Sequence, residues 1–219
     1  MELMQPLPPF WGDKLRMALE WAATLAFALS GVIEAARKRL DAVGVCVVAF
    51  ATAFGGGTLR DLLLDQRPFF WVRHVEFLWA LLGLCVAAVL FMRQRHLAPT
   101  ERAILWPDAL GLGLFTAVGV DLALAVGEPP LVAVLMGVVT SVFGGVLRDV
   151  LADEPSILLK REIYVTAALA GAMAYVCLTL IGVAAWPAAL AGFATAGVVR
   201  GGAIVFGWSL PPFGGATER

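Results

Sequence analysis

Two arginine–aspartate pairs lie in apolar segments, each a few residues after a run of glycines. Gly55-Gly56-Gly57 precedes Arg60-Asp61, and Gly144-Gly145 precedes Arg148-Asp149. Ionisable side chains at membrane depth are costly and normally pair or face water. Arginine stays protonated, so its charge is fixed. Adjacent helix residues point in different directions, which makes a pair within one motif a poor one and favours a swap. Arg60 is then expected to meet Asp149 and Arg148 to meet Asp61, a pairing that would also serve as a gate. The alternative is a set of interfacial charges that stabilise the helix turn.

The glycines need their own reason, because glycine inside a helix costs about 1 kcal/mol relative to alanine. One reason is close helix packing. The other, favoured here, is a break or kink that leaves backbone groups unpaired, which membrane helices tolerate only where it lines a cavity or is buried in protein. Asp121 is the most isolated acid in the chain, and Glu34 is a second intramembrane acid, close to a basic loop. Ser30, Thr52, Thr116, Thr140 and Ser141 are pore-lining candidates with them; each hydroxyl alone would also satisfy itself on its own helix carbonyls.

Other chemistry is poorly represented. His74 and His96 are the only histidines and both lie in charged loops, without a nucleophile or ligand partner at motif spacing, so neither catalysis nor a metal centre is expected. GGGTLRD lacks the Gly-Lys-Ser/Thr ending of a phosphate loop. Cys46, Cys85 and Cys177 fall in apolar runs without CxxC spacing and read as small packing residues. No cofactor is expected, and a net charge of −1 argues against a nucleic-acid partner.

The elements that position these residues come from a duplication. Thr52–Asp65 (TAFGGGTLRDLLLD) returns as Thr140–Asp153 (TSVFGGVLRDVLAD), an offset of 88 (148 − 60) that also matches Phe27 with Phe115, Gly31 with Gly119 and Gly83 with Gly171. With 60% hydrophobic and 15% charged residues and a mean hydropathy of +0.85, the chain reads as a polytopic helical membrane protein. About seven spans are expected, near Leu15–Ala36, Ala42–Leu59, Phe77–Met92, Pro107–Val126, Leu131–Leu147, Ile163–Val183 and Pro187–Val199, with Pro107 and Pro187 at helix starts. The first twelve or so residues, Pro-rich, do not resemble a cleavable signal peptide.

An N-terminal segment (1–14) thus precedes one three-helix repeat (15–98), a second (103–186) and a seventh helix with a C-terminal tail (187–219). Three spans per repeat is odd, so the second copy is inverted, with a pseudo-twofold axis in the membrane plane. Arg37, Lys38, Arg39, Arg93, Arg95, Arg102, Lys160 and Arg161 follow spans one, three and five. By the positive-inside rule the N-terminus is outside and the C-terminus cytoplasmic. Small residues on span six (Ala167, Ala168, Ala170, Gly171, Ala172, Ala174) and span three (Gly83, Ala87, Ala88) are candidates for close packing.

Two copies of GG-x-x-RD near the ends of spans two and five, with Arg200, Ala203-Ile204, Trp208 and Leu210-Pro211 at the end of the chain, resemble the prokaryotic trimeric intracellular cation channels from about Trp21 to Pro211. The resemblance implies a homotrimer whose protomers each enclose a pore between kinked second and fifth helices and the first and fourth, passing mainly potassium. It carries the first motif onto Gly55, Gly56, Gly57, Arg60 and Asp61, and the second onto Gly144, Gly145, Arg148 and Asp149. Phe143 stands where the first copy has Gly55, so the two kinks need not be equally sharp. The lysine motif tied to lipid binding in animal members has no match. Some bacterial relatives are linked to uptake of small amino acids such as glycine.

Three readings follow. A passive monovalent-cation channel would use Asp121 and Glu34 for negative potential, provided that Arg60 and Arg148 are paired. A secondary transporter for a small amino acid such as glycine would use the same broken helices, and an oligomeric scaffold would leave Asp121 and the duplicated motifs without a role. The prokaryotic form of the motifs points to a bacterial inner membrane, with lipids as the surroundings.

Overall fold

The computed structural model describes residues 13–95, 101–156 and 163–209. Among them are eight helices: α1 (Asp13–Arg37), α2 (Ala42–Leu63), α3 (Phe70–Arg73), α4 (Glu76–Arg95), α5 (Glu101–Ala125), α6 (Pro130–Leu151), α7 (Val165–Leu180) and α8 (Ala185–Phe206). The bounds of α1 and α5, and those of α2 and α6, differ by 88 residues at both ends. Five helices are long and apolar enough to cross a membrane, and the shorter apolar stretches Glu76–Phe91 and Val165–Leu180 complete the seven expected spans.

The duplication reaches into the caps. α2 ends with Asp65 at φ 51° and α6 with Asp153 at φ 51°. Gln66 N donates to Asp61 O at 2.7 Å, and Glu154 N to Asp149 O at 2.9 Å. Both are Schellman endings, which satisfy the last carbonyls of each helix. The turn after α1 uses Arg39 at φ 56° where the turn after α5 has Gly127 at φ 88°, a left-handed conformation that suits glycine better.

The two repeats meet where α2 crosses α6. A Cβ on Gly56 would stand 2.0 Å from the carbonyl oxygen of Thr140, and one on Gly144 2.3 Å from that of Thr52. This reciprocity is the pseudo-twofold axis expressed in contacts. Gly31 against Thr52 and Gly119 against Thr140 repeat it, each with 2.7 Å from a built Cβ to the hydroxyl. Both helices run through their glycines as uninterrupted α-helix. The expected break with unpaired backbone groups is therefore corrected: the glycines let two backbones touch, and whatever bend α2 and α6 carry leaves them helical.

Each repeat has its own apolar core, Val32, Val48, Phe54 and Phe77 in the first and Val120, Leu124, Val134 and Val176 in the second. Among the described residues, helix α8 packs on the second repeat, against α7 and α5. Its Gly192 faces Gly171, where built Cβ atoms would lie 2.9 and 2.6 Å from the opposite carbonyls. Gly171 of span six is thus used inside the protomer, whereas Gly83 on α4 has no atom within 4 Å of a built Cβ.

One further expectation needs correction. The fourth span begins at Glu101, six residues before Pro107, which lies inside the helix; the polar first turn hid the true start. The loop after span two also holds the short helix α3, whose first amide, Phe70 N, is held by Asp61 Oδ2 at 2.8 Å. Of the residues behind the expected orientation, Lys160 and Arg161 lie outside the described residues.

Candidate functional site

Each motif arginine is clamped by acids of its own repeat. Arg60, 1% exposed, donates from Nε and Nη2 to Asp61 Oδ1 at 2.9 and 2.7 Å. Its Nη2 also lies 3.3 Å from Glu20 Oε1 on α1. Arg148, 4% exposed, donates in the same way to Asp149 Oδ1 at 3.0 and 2.8 Å, and pairs through Nη1 with Asp108 on α5. The anticipated swap between repeats is absent. The arginine side chain is long enough to fold back on its neighbour, so the divergent Cα–Cβ directions do not prevent pairing, and burial makes pairing on the spot the cheapest arrangement.

Glu20 and Asp108 were not singled out in the sequence, although the signal was there: they are acids in apolar runs, and the offset that aligns the glycines also aligns them (108 − 20 = 88). The second acid meets Nη2 of Arg60 but Nη1 of Arg148, and a further contact has no counterpart. Arg148 Nη1 reaches across to Ser30 Oγ on α1 at 2.5 Å, while the residue equivalent to Ser30 is Val118. Arg60 Nη1 accordingly has no hydrogen-bond partner among the described residues.

The other expected residues sort by place. Ser30, Thr52, Thr116, Thr140 and Ser141 are fully buried between α1, α2, α5 and α6. Thr52 donates to Val48 O at 2.7 Å, Thr116 to Leu112 O at 2.7 Å, Thr140 to Met136 O at 2.5 Å and Ser141 to Gly137 O at 2.9 Å. Each of these four is satisfied by its own helix. Asp121, 3% exposed, accepts from the Tyr175 hydroxyl at 2.9 Å; Tyr175 on α7 was not anticipated. Glu34 is not near the centre. It takes two hydrogen bonds from Arg37, at 3.1 and 2.9 Å, at the end of α1.

Helix α8 adds a buried cation: Arg200 donates to Ile163 O at 3.3 Å and lies 5.1 Å from the centre of the Tyr164 ring. The Tyr164 hydroxyl in turn stands 2.6 Å from where a Cβ on Gly145 would be.

The two ends of the four-helix centre differ. Where α2 and α5 finish, a cavity of about 350 Å³ opens onto Arg60, Asp61 and Glu20, with Gln66 and Leu122 in its wall. Where α1 and α6 finish, Arg37 and Lys38 both pair with Glu154, the latter at 2.8 Å, and Lys38 also reaches Asp153 O at 3.4 Å. These two cations hold the Glu154 carboxyl below its ordinary 4.5, the hydrogen bond from Lys38 contributing most. No group of three or more His, Cys, Asp or Glu suited to a metal ion occurs among the described residues.

A family model described as a glycine transporter matches residues 17–93 and again 105–180. The two matches start 88 residues apart (105 − 17), so the unit that the family shares is the single repeat. A UPF0126 membrane protein of Vibrio cholerae is 37% identical over 199 residues, 89% of this chain and 81% of that protein. The UPF0126 inner membrane protein YadS of Escherichia coli K12 is 41% identical over 158 residues, 72% of this chain and 75% of that one. Among solved structures, the trimeric intracellular cation channel orthologue from Rhodobacter sphaeroides superposes with a TM-score of 0.83 at 40% identity, over 90% of this chain and 100% of that one.

Proposed function

The chain belongs to the family of the trimeric intracellular cation channels, and from that premise we propose that it is a passive channel for monovalent cations, chiefly potassium. One pore runs through each protomer of a homotrimer, between α1, α2, α5 and α6. The protein sits in a bacterial inner membrane with its N-terminus outside and its C-terminus in the cytoplasm. Its functional units are the two repeats, 15–98 and 103–186.

The observation that carries this reading is the charge balance at the two motifs. Each buried arginine is matched by two acids, Arg60 by Asp61 and Glu20, Arg148 by Asp149 and Asp108. Each trio taken alone sums to −1, while Arg16 and Arg73 line the cavity beside the first and Arg200 stands on Tyr164 near the second. An unpaired arginine would repel a cation; the pairing removes that repulsion at both motifs, and Asp121 supplies a negative centre on α5.

The alternative, a secondary transporter for a small amino acid such as glycine, draws on the description of the family model. Potassium flux through purified protein in liposomes, with labelled glycine in parallel, separates the two. Flux well above carrier turnover and reduced in Asp121→Asn is expected. Saturable glycine uptake at carrier rates without potassium flux would overturn the channel.

A further inference from the structure

We propose that Glu34, Arg37, Lys38 and Glu154 form an ionic strap that closes one end of the protomer, while the opposite end stands open because the duplication left it without one. Two helices from different repeats are tied by it. Arg37 is anchored to Glu34 on its own helix by the two hydrogen bonds above and crosses to Glu154 beyond the end of α6. Lys38 crosses to the same carboxylate at 2.8 Å and to the Asp153 carbonyl at 3.4 Å. One acid thus receives two cations, and a buried acid, 3% exposed, fixes the first of them in place.

The offset tests whether this is a general feature of the fold. Adding 88 converts Glu34 to Leu122, Arg37 to Ala125 and Lys38 to Val126, and subtracting 88 converts Glu154 to Gln66. All four charges are gone in the other copy, although the helix bounds and the Schellman ending are reproduced. The consequence is visible in the structure: Leu122 and Gln66, the counterparts of Glu34 and Glu154, line the cavity that opens onto Arg60. One backbone design, built twice, is strapped where it carries the charges and open where it does not.

The functional part rests on the channel reading: breaking the strap lets α1 and α6 separate and opens the closed end to cations. Coulomb attraction in a half-buried site holds the strap, so losing one partner shifts the closed–open balance rather than unfolding the protein. Glu154→Gln is expected to raise potassium flux in liposomes about two- to tenfold. The double variant Gln66→Glu with Val126→Lys, which transplants the Lys38–Glu154 pair to the open end, is expected to lower it. Hydrogen exchange in the turns after α1 and α6, measured on the same full-length proteins, should rise in Glu154→Gln whether or not the protein conducts. Unchanged exchange there overturns the strap. Raised exchange with no potassium flux in any protein, the unsubstituted one included, retains the tie and rejects the channel reading. Flux that neither variant alters in a conducting protein overturns the strap's role as a gate.

Discussion

Replacing Gly56 by alanine tests the reading of the glycines as a backbone contact. The added Cβ would stand 2.0 Å from the Thr140 carbonyl oxygen, where ordinary contact begins near 3.4 Å, so α2 and α6 must part by about 1.4 Å (3.4 − 2.0) at their crossing. For Gly144→Ala the same subtraction gives about 1.1 Å (3.4 − 2.3). The obstacle is backbone and cannot rotate away, which puts the cost at the upper end of the ~1–3 kcal/mol typical of overpacking. Alanine returns about 1 kcal/mol of helix propensity, leaving Gly56→Ala destabilised by about 2 kcal/mol. In a chain of this size that lowers the melting temperature by roughly 4–8 °C. Gly197→Ala is the control, since no atom lies within 4 Å of its built Cβ, and it should hold or gain stability. Thermal unfolding of the three variants in detergent, followed by size-exclusion fluorescence, is the assay. A Gly56→Ala protein that melts with the control would refute the contact and restore the broken-helix reading.

Two further outcomes follow from the charges. Arg148→Gln leaves Asp108 without its cation in a buried site and should cost about 3–5 kcal/mol, with part of the loss recovered in the Arg148→Gln, Asp108→Asn double variant; chemical denaturation of purified protein measures both. For Glu154, a folded-state carboxyl held below 4.5 by Lys38 and Arg37 stabilises the protein above that pH, and the benefit is lost as pH falls through the lowered value. The melting-temperature advantage over Glu154→Gln should be constant at neutral pH and vanish under more acid conditions, and an advantage unchanged down to the acid limit would contradict the ion pairs.

The duplication made much of the fold legible, because one offset, read from the Arg-Asp pairs, predicts paired helices whose bounds fall 88 residues apart at both ends. It was silent where a copy has no counterpart. Helix α8 is such an element, and so is its choice of the second repeat, which depends on Gly171 meeting Gly192. The motif arginines were legible as groups that need partners, yet the partners were misassigned. Pairing was argued from backbone directions alone, when the reach of the arginine side chain decides it. Glu20 and Asp108 were within reach of the same offset, whereas Tyr175 as the partner of Asp121 depends on a helix crossing that no spacing encodes. The glycines gave two physical options, and only the 2.0 Å approach of a carbonyl distinguishes a crossing from a break.

The Gly56–Thr140 and Gly144–Thr52 contacts have a further meaning. Each repeat offers the other the same patch of its second helix, so the junction is isologous, the kind of surface by which two identical subunits pair. A lone three-helix unit with this face would meet an upside-down copy of itself through the same glycines. Joining two units in one chain turns that dimer seam into an internal one and frees the halves to diverge. The strap on one side, the cavity on the other and α8 on a single repeat are divergences that a pair of identical subunits could not carry.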